Sequence, residues 1–552
     1  MLKILLMKVF FMFLKATKSK DNFYLQIVES YREESKVKHR VLANLGRVDR
    51  LENNEQLIRL GKRCLKLAGV ADEQYGGIEE TERLCYGHSV YRRLWEKWGV
   101  GGMIKNLLRG RKIEFDVEGA IFLLTADRLL SPQSKLKSFE NQGRYADADE
   151  IDLNHLYRCL DFLCENKDCI EKELFAKRKD ILNYQVDVMF YDVTTFHFES
   201  VESDSLRDFG FSKAGKFNEV QVVFGMLVDM NGFPVGFDIF PGNTYEGDTL
   251  KTALAKLKAK FDLREIIVVS DKGMSSEKNF FRIKDAGFDY LISMRLKSMK
   301  KEMREKILSP DGYVEVKRGD ERFKYKMIKG YKQKVRNEEN QTSEIEVNLV
   351  CYWSERMAAR DKAERERLVE KANRALENGI SFNDKKGCRR YLQIEGEKKA
   401  VGIDEAQINK DAIFDGYYVI QSSKKTLKPE EILSGYKSLW KIENSFRAMK
   451  TNLKSRPVFH WTPRRIKGHF VLCFISLLLE RTLELKLKKN KLSASPEQIQ
   501  KALNSMQISL IKINGKEYYL KGKSEKLARE ILRAMHIKQP QNLTPKEEFK
   551  IV

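Results

Sequence analysis

A chain of 552 residues is several times the usual domain length, so it can bury more than one core and a single small fold is excluded. Its 102 Lys and Arg against 79 Asp and Glu leave +23, spread along the chain, which points to a long polyanionic partner, with ribosomal or anionic-membrane contact as the plainer alternatives. Eight cysteines form no C-x-x-C pair and seven histidines no H-x-x-x-H pair, so reduced structural thiols fit better than a disulfide scaffold or a zinc site, even for the evenly spaced Cys159, Cys164 and Cys169.

The first fifteen residues look like a signal peptide only superficially. Lys3 and Lys8 interrupt the apolar run and no small-residue cleavage site follows, so Met12 is the expected true start. Residues 1–50 then read as a basic β-hairpin, with strands at Phe23 to Ile27 and Lys36 to Leu42. From 51 to 183 apolar residues recur at three and four, as in Val90, Tyr91, Leu94 and Trp95, so this stretch is expected to be a helical domain for DNA binding or assembly.

The character changes at Tyr184. Val186 to Val193, Glu219 to Asp229 and Gly232 to Phe240 read as strands, the last two joined by a turn with the Asn-Gly hairpin signal at Asn231 and Gly232. A helix (248–261), a strand (265–270), a helix (276–285) and a strand (289–294) follow. Three strands, then helix, strand, helix, strand, is the order of a ribonuclease-H-like α/β fold, in which the first and fourth strands lie side by side. Core segments are expected at 184–308 and 428–490, an inserted mainly-β subdomain at 309–427, and a basic C-terminal tail at 491–552. The apolar stretch Phe470 to Leu479 is about half a membrane span, so a soluble, cytoplasmic protein is expected.

Two strand-like runs deliver a carboxylate at or near their ends, Asp192 and Asp271, and a basic helix carries Glu443 seven residues before Lys450. Hard oxygen ligands on rigid supports suit two-metal phosphodiester chemistry, with the ions about 3.5–4 Å apart. Thr194 and Thr195 are placed to buttress Asp192. Taken singly, an Asp after a strand is most often a turn or cap residue, and Asp271 reads first as a cap. One continuous helix from Pro429 would put Tyr436, Glu443 and Lys450 on one face, docked by Leu439, Ile442, Phe446 and Met449.

These residues, with F-Y-D-V-T-T-F at Phe190 to Phe196, P-G-N-T-Y-E at Pro241 to Glu246, V-V-S-D-K-G at Val268 to Gly273 and the Y-x6-E-x6-K run from Tyr436 to Lys450, resemble the DDE transposases of the insertion-sequence-four superfamily. The resemblance covers Met12 to about Lys489. It departs at Leu439, where the family signature carries Arg; Arg447 is the residue placed to take over that phosphate contact.

The resemblance implies an enzyme in which Asp192, Asp271 and Glu443 are catalytic and hold two Mg2+, with Mn2+ as a substitute. Hydrolysis at each element end frees a 3′-hydroxyl, which attacks target DNA; no nucleotide cofactor is needed. Tyr436, Arg447, Lys450, Arg456 and His460 would bind DNA phosphates, and positioning of this kind carries no sequence information. The implied partners are double-stranded DNA, as terminal inverted repeats and target, and a second copy of the chain on DNA, at the bacterial nucleoid and not at a membrane. The amino-terminal hairpin and helical region are expected to recognise the repeats. A nuclease that cuts without joining and a silent DNA-binding regulator are the alternatives. A dehalogenase-like phosphatase is disfavoured because Thr194 stands where it needs a second Asp.

Overall fold

The computed structural model describes residues 11–33, 36–51, 55–68, 79–146, 149–182, 188–210, 218–261, 267–318, 321–377, 387–395, 399–513 and 515–549. They fall into two compact units. One is formed by residues 1–82, 509–520 and 542–549, the other by residues 83–508, 521–541 and 550–552.

In the first unit, Phe11–Ser19, Asn22–Glu33 and Lys36–Arg47 make an antiparallel three-stranded sheet. The expected hairpin thus gains a third strand, Phe11–Ser19, which begins beside Met12, the expected start. The helix Glu55–Leu67 follows, and four further strands, in the order 543–545, 516–521, 507–513 and 79–85, form a second sheet. The segment expected to be a tail therefore contains strands and the helices Pro496–Asn504 and Lys526–Ala534.

The second unit is organised by a nine-stranded mixed sheet. In chain order its strands are β1 (Val188–His197), β2 (Gln221–Asp229), β3 (Pro234–Pro241), β4 (Ile267–Ser270), β5 (Asp289–Met294), β6 (Val314–Arg318), β7 (Glu321–Arg336), β8 (Thr342–Ser354) and β9 (Tyr417–Ser422). Their spatial order is 6-7-8-9-5-4-1-2-3. The β3-β2-β1-β4-β5 part, with β1, β4 and β5 parallel and β1 to β3 antiparallel, is the ribonuclease-H-like arrangement. The expected start of β1 at Val186 lies outside the described residues. Every residue of β2 is buried, because helices cover both faces, so the strand reads as a continuous apolar run. The β2–β3 turn is fixed by Asp229, whose Oδ1 accepts the Asn231 and Phe233 N–H groups at 2.8 and 2.9 Å, while Gly232 takes φ +82°.

The inserted strands continue this sheet. β9 pairs antiparallel with β5 (Val419 opposite Met294), and β8, β7 and β6 follow outward, so the edge of β5 is covered. Within the insertion, the Glu355–Glu377 helix packs through Ala372 on Tyr391 and Leu392, beside a small two-stranded sheet.

Two helical layers flank the sheet. On one face α4 (Glu246–Phe261) and α5 (Glu277–Asp285) lay Leu250, Leu254, Phe280 and Ile283 on Met189, Tyr191, Val193 and Val268; here α1 to α3 denote Val117–Leu130, Leu153–Glu165 and Lys167–Leu182. On the other face α6 (Pro429–Lys437), α7 (Trp440–Arg447) and α8 (Pro463–Lys489) follow the insertion. Phe446 of α7 and Phe470 and Phe474 of α8 meet Phe196, Phe224 and Phe237 of the sheet. α8 is buried nearly all round because α1 and α2 pack on its outer side. The helical stretch from Arg83 lies in the same compact unit as the core. Among the described residues no helix is long and apolar enough to cross a membrane.

Candidate active site

The register of β1 against β4 sets the site. Val188, Met189 and Phe190 lie opposite Ile267, Val268 and Val269, and the same register carried forward puts Asp192 level with Asp271, one residue beyond β4. Neighbouring strands lie about 4.8 Å apart, and residues at one level of a parallel pair point to the same face. Met189, Tyr191 and Val193 occupy the α4/α5 face, so alternation turns Asp192, Thr194 and Phe196 toward α7 and α8.

Both carboxylates are oriented by backbone. Asp192 is half-buried and its Oδ1 accepts its neighbour Val193 N–H at 2.8 Å. Asp271 is exposed and its Oδ1 accepts Gly273 N–H at 2.7 Å across the tight turn Lys272–Met274. A side chain at Gly273 would bring its Cβ to 2.9 Å from that oxygen, so glycine permits the close turn. The capping reading of Asp271 is thus realised, and it coexists with a position at the strand end.

Glu443 is exposed on α7, which packs across β1 and β2 through Ile442 and Phe446. Tyr436 stands on α6 against β4 and β5 and feels the charge of both Glu443 and Asp271. Burial, first, and then the negative charges of Asp271 and Glu443 push the Tyr436 phenol above its ordinary value, against a hydrogen bond with Ser293 that lowers it. The phenol therefore stays protonated. Lys450 Nζ hydrogen-bonds Thr194 Oγ1 and sits 5.4 Å from the centre of the Phe196 ring.

The continuous helix expected from Pro429 is not formed. At Ser438 the N–H is shared between the Ser434 and Gly435 carbonyls while its hydroxyl bonds Ser434 O, which separates α6 from α7. From Ala448 to Asn452 the chain widens into a π turn closed by Leu453 N–H to Ala448 O at 2.9 Å. The seven-residue spacing therefore does not define one helical face. Tyr436 is directed to β5 and Lys450 to β1, while Ile442, Phe446 and Met449 are buried as the apolar stripe requires.

Arg447 is exposed on α7 and borders a cavity of about 570 Å³ with Trp440, Asn444 and Arg481. Arg456 and His460 are not brought to the carboxylates; they line a different cavity, where His460 is buried against Tyr157 and His469. Burial, first, and the neighbouring Lys135 and Arg128 charges hold His460 down to about 3, so it carries no charge at neutral pH. Thr194 bonds Lys450, a partner that strand spacing gave no reason to choose, and Ser293 carried no sequence signal.

The donor set is hard oxygen, which suits a divalent cation. Among the described residues, however, no three His, Cys, Asp or Glu side chains lie close enough to hold a metal ion together. Asp192 and Asp271 share a level; Glu443 stands on the helix beside them.

A ribonuclease-H-like sheet with one carboxylate, Asp192, midway along β1 and not at its end as the apolar run suggests, a second, Asp271, just beyond β4, and a Glu-bearing helix beyond an insertion is the arrangement of a DNA-processing nuclease core. Residues 187–479 match the family model of the transposase DDE domain, and residues 14–70 match that of the N-terminal domain of IS1634 family transposases. The chain belongs to the DDE transposases of insertion sequences, enzymes that cleave DNA and transfer strands. No curated protein matches. Among solved structures, a piggyBac transposase synaptic complex with hairpin DNA is similar at a TM-score of 0.32 and 9% identity, over 78% of this chain and 82% of that one. A Mos1 transposase paired-end complex with the left transposon end is similar at 0.15 and 11%, over 33% and 60%.

Proposed function

We propose that Asp192, Asp271 and Glu443 are the catalytic carboxylates of this transposase and the ligands of two Mg2+ ions, and that Tyr436, Arg447, Lys450 and Arg456 bind the phosphates of the element ends. The observation that carries this reading is the common level of Asp192 and Asp271 on adjacent parallel strands, facing the layer that bears Glu443. With the ions bound there, the site would supply Lewis-acid activation of the attacking oxygen and of the scissile phosphate.

The remaining work falls to the chain itself. Lys450, braced on Thr194, offers a cation beside Asp192, where it would hold a phosphate for attack. Tyr436 keeps its phenolic proton under the charges of Asp271 and Glu443 and would act as a donor at the site. Arg447, on the surface of α7, would take the contact that the Arg of the family signature makes, for which Leu439 has no group. The exposed Lys15, Lys18 and Lys36 of the amino-terminal sheet support recognition of terminal inverted repeats by that unit. Synapsis of two ends requires at least a dimer on DNA.

The test is a reaction of the full chain with a duplex carrying the DNA that flanks the coding region, plus a target duplex. End cleavage and joining should require Mg2+ or Mn2+ and stop in chelator. Cleavage that persists in chelator would defeat the two-metal reading.

A further inference from the structure

Behind the segment that follows Lys450 lies a cavity of about 160 Å³ formed by α1, α8 and the 454–460 loop. Its lining carries Arg128, Lys135, Lys454, Arg456, His460 and His469, and among the described residues no carboxylate. Four of these are almost wholly buried: Arg128 is 5% exposed, Lys135 4%, His460 7% and His469 4%. Asp127, which acts on Lys135 by its charge, accepts hydrogen bonds from Tyr145 Oη at 2.6 Å and Gln133 Nε2 at 2.8 Å and is not part of the lining.

The cationic groups are under-used by the protein. Lys135 makes no hydrogen bond or ion pair among the described residues. Arg128 Nη1 donates to the Leu453 and Lys454 carbonyls at 3.1 Å, but its Nε has no partner, and neither has His469 Nδ1. Lys454, at the rim, is held at φ +42°, a backbone conformation that costs energy in a residue with a side chain. Burying cations costs several kcal/mol when counter-charge does not match them; here Asp127 is the carboxylate that acts on Lys135, against two buried cations, Lys135 and Arg128, so the cavity is suited to a group that supplies further negative charge. With about 30 Å³ for each water, the space holds roughly five, enough for one tetrahedral oxyanion but not for a base and sugar.

We propose that this cavity is a phosphate subsite for the DNA backbone, with Lys135 and Arg128 at its floor and Lys454 and Arg456 at its mouth. It rests on the reading that DNA runs past Lys450 toward Arg456. Lys454 follows Lys450 by four residues, so its backbone lies within about 14 Å, the rise of about four base pairs along a duplex axis. Burial, first, and the Arg128 charge push the Lys135 ammonium down to about 7. A phosphate seated beside it would restore the charged form, so binding is coupled to proton uptake.

The test uses the full chain in chelator, with a duplex from the DNA flanking the coding region. Binding is measured against salt for the wild type, Lys135→Met, Lys135→Arg and Lys450→Ala. Lys135→Met should flatten the slope of log affinity against log salt by about 0.9, the increment for one phosphate, and Lys135→Arg should preserve it. Its melting temperature should hold or rise, since an unpaired buried charge is removed; Lys135→Gln provides the same neutral test should the Met variant not fold. Methylphosphonates placed singly within about four nucleotides of the cut should find one position that weakens wild-type binding and has no effect on Lys135→Met. An unchanged slope in Lys135→Met beside a flattened one in Lys450→Ala would overturn the subsite and leave the catalytic reading standing. Stabilisation of the wild type by inorganic phosphate alone, with the DNA slope unmoved by Lys135→Met, would assign the cavity to free phosphate and overturn its assignment to DNA.

Discussion

Asp192 and Asp271 stand at one level of two neighbouring parallel strands, each with an oxygen held by a backbone N–H within two residues of itself. Asp192→Asn and Asp271→Asn each remove a negative charge, on the proposed role a metal ligand, while keeping the shape that accepts that N–H. Cleavage should fall by about a thousand-fold or more, because several kcal/mol of cation-dependent stabilisation is lost, while affinity for the element end changes little. Glu443→Gln should behave alike. Gel assays of cleavage and of binding on the same preparations decide it: appreciable cleavage by any of the three would remove that residue from the triad.

Lys450 presents a different balance. Its ammonium hydrogen-bonds Thr194 and lies by the Phe196 ring, so Lys450→Ala deletes a cation, on the proposed role a phosphate contact, without removing a carboxylate. Binding should weaken at all salt concentrations, and the salt slope should flatten by about 0.9. Thr194→Val, which keeps the charge but loses the brace, should lower cleavage more than binding. Equal salt slopes for wild type and Lys450→Ala would show that Lys450 does not meet a phosphate.

Glu480, buried in α8, makes stability depend on pH. Desolvation, first, and then the nearby Glu484 raise its carboxyl from 4.5 to about 8, against the opposing charge of Arg481. Because the folded value is raised, its contribution is fully present below about pH 4.5 and is lost as pH rises through about 8, at up to about 1.4 kcal/mol per pH unit between them. Glu480→Gln keeps the neutral form at every pH. Its melting temperature should match the wild type at pH 5 and exceed it at pH 8; parallel curves for the two proteins would mean that Glu480 is not the titrating group.

Arg178 of α3 and Asp229 at the β2–β3 turn form an ion pair with side chains 4% and 0% exposed. Asp229 also fixes the turn that Asn231 and Gly232 announce in the sequence. Asp229→Ala should cost about 3–5 kcal/mol, since it strands a buried guanidinium and frees two turn N–H groups. The double change of Arg178→Met with Asp229→Ala should recover part of that loss. Denaturant unfolding measures both, and a double variant no more stable than Asp229→Ala would argue against the stranded charge as the cause.

What the sequence made legible follows from which forces are local. The order of β1 to β5 was readable because buried strands bounded by turn residues carry their own pattern, and Asp229 with Gly232 marks a hairpin by chemistry alone; Asp271 does follow its strand, whereas the strand of Asp192 runs on to His197, past the apolar run that suggested its end. The partners chosen across the fold left no such trace. Spacing by sevens suggested one helical face for Tyr436, Glu443 and Lys450, but Ser438 and the π turn at 448–452 depend on where the sheet lies beneath. The attachment of β9 to β5, and the convergence of Lys135 with His460 from segments more than three hundred residues apart, are equally tertiary. Each is set by a pairing between distant segments, which no window of sequence contains.

Gly468 shows how tightly the helical layers are joined. It faces α2, and a Cβ there would overlap the carbonyl of Leu160, so α8 can lie this close only with glycine. Gly468→Ala must push the helices apart along a buried interface that also carries His469 and Phe470. The expected loss is about 1–3 kcal/mol, despite the better helix propensity of alanine. Gly102 supplies the contrast: it is exposed in the Val100–Leu107 helix, and a Cβ added there would meet nothing within 4 Å. Gly102→Ala should stabilise by about 0.5–1 kcal/mol. Opposite shifts of the melting temperature for the two substitutions are expected, and shifts of the same sign would mean that the close approach of α2 and α8 is not what Gly468 serves.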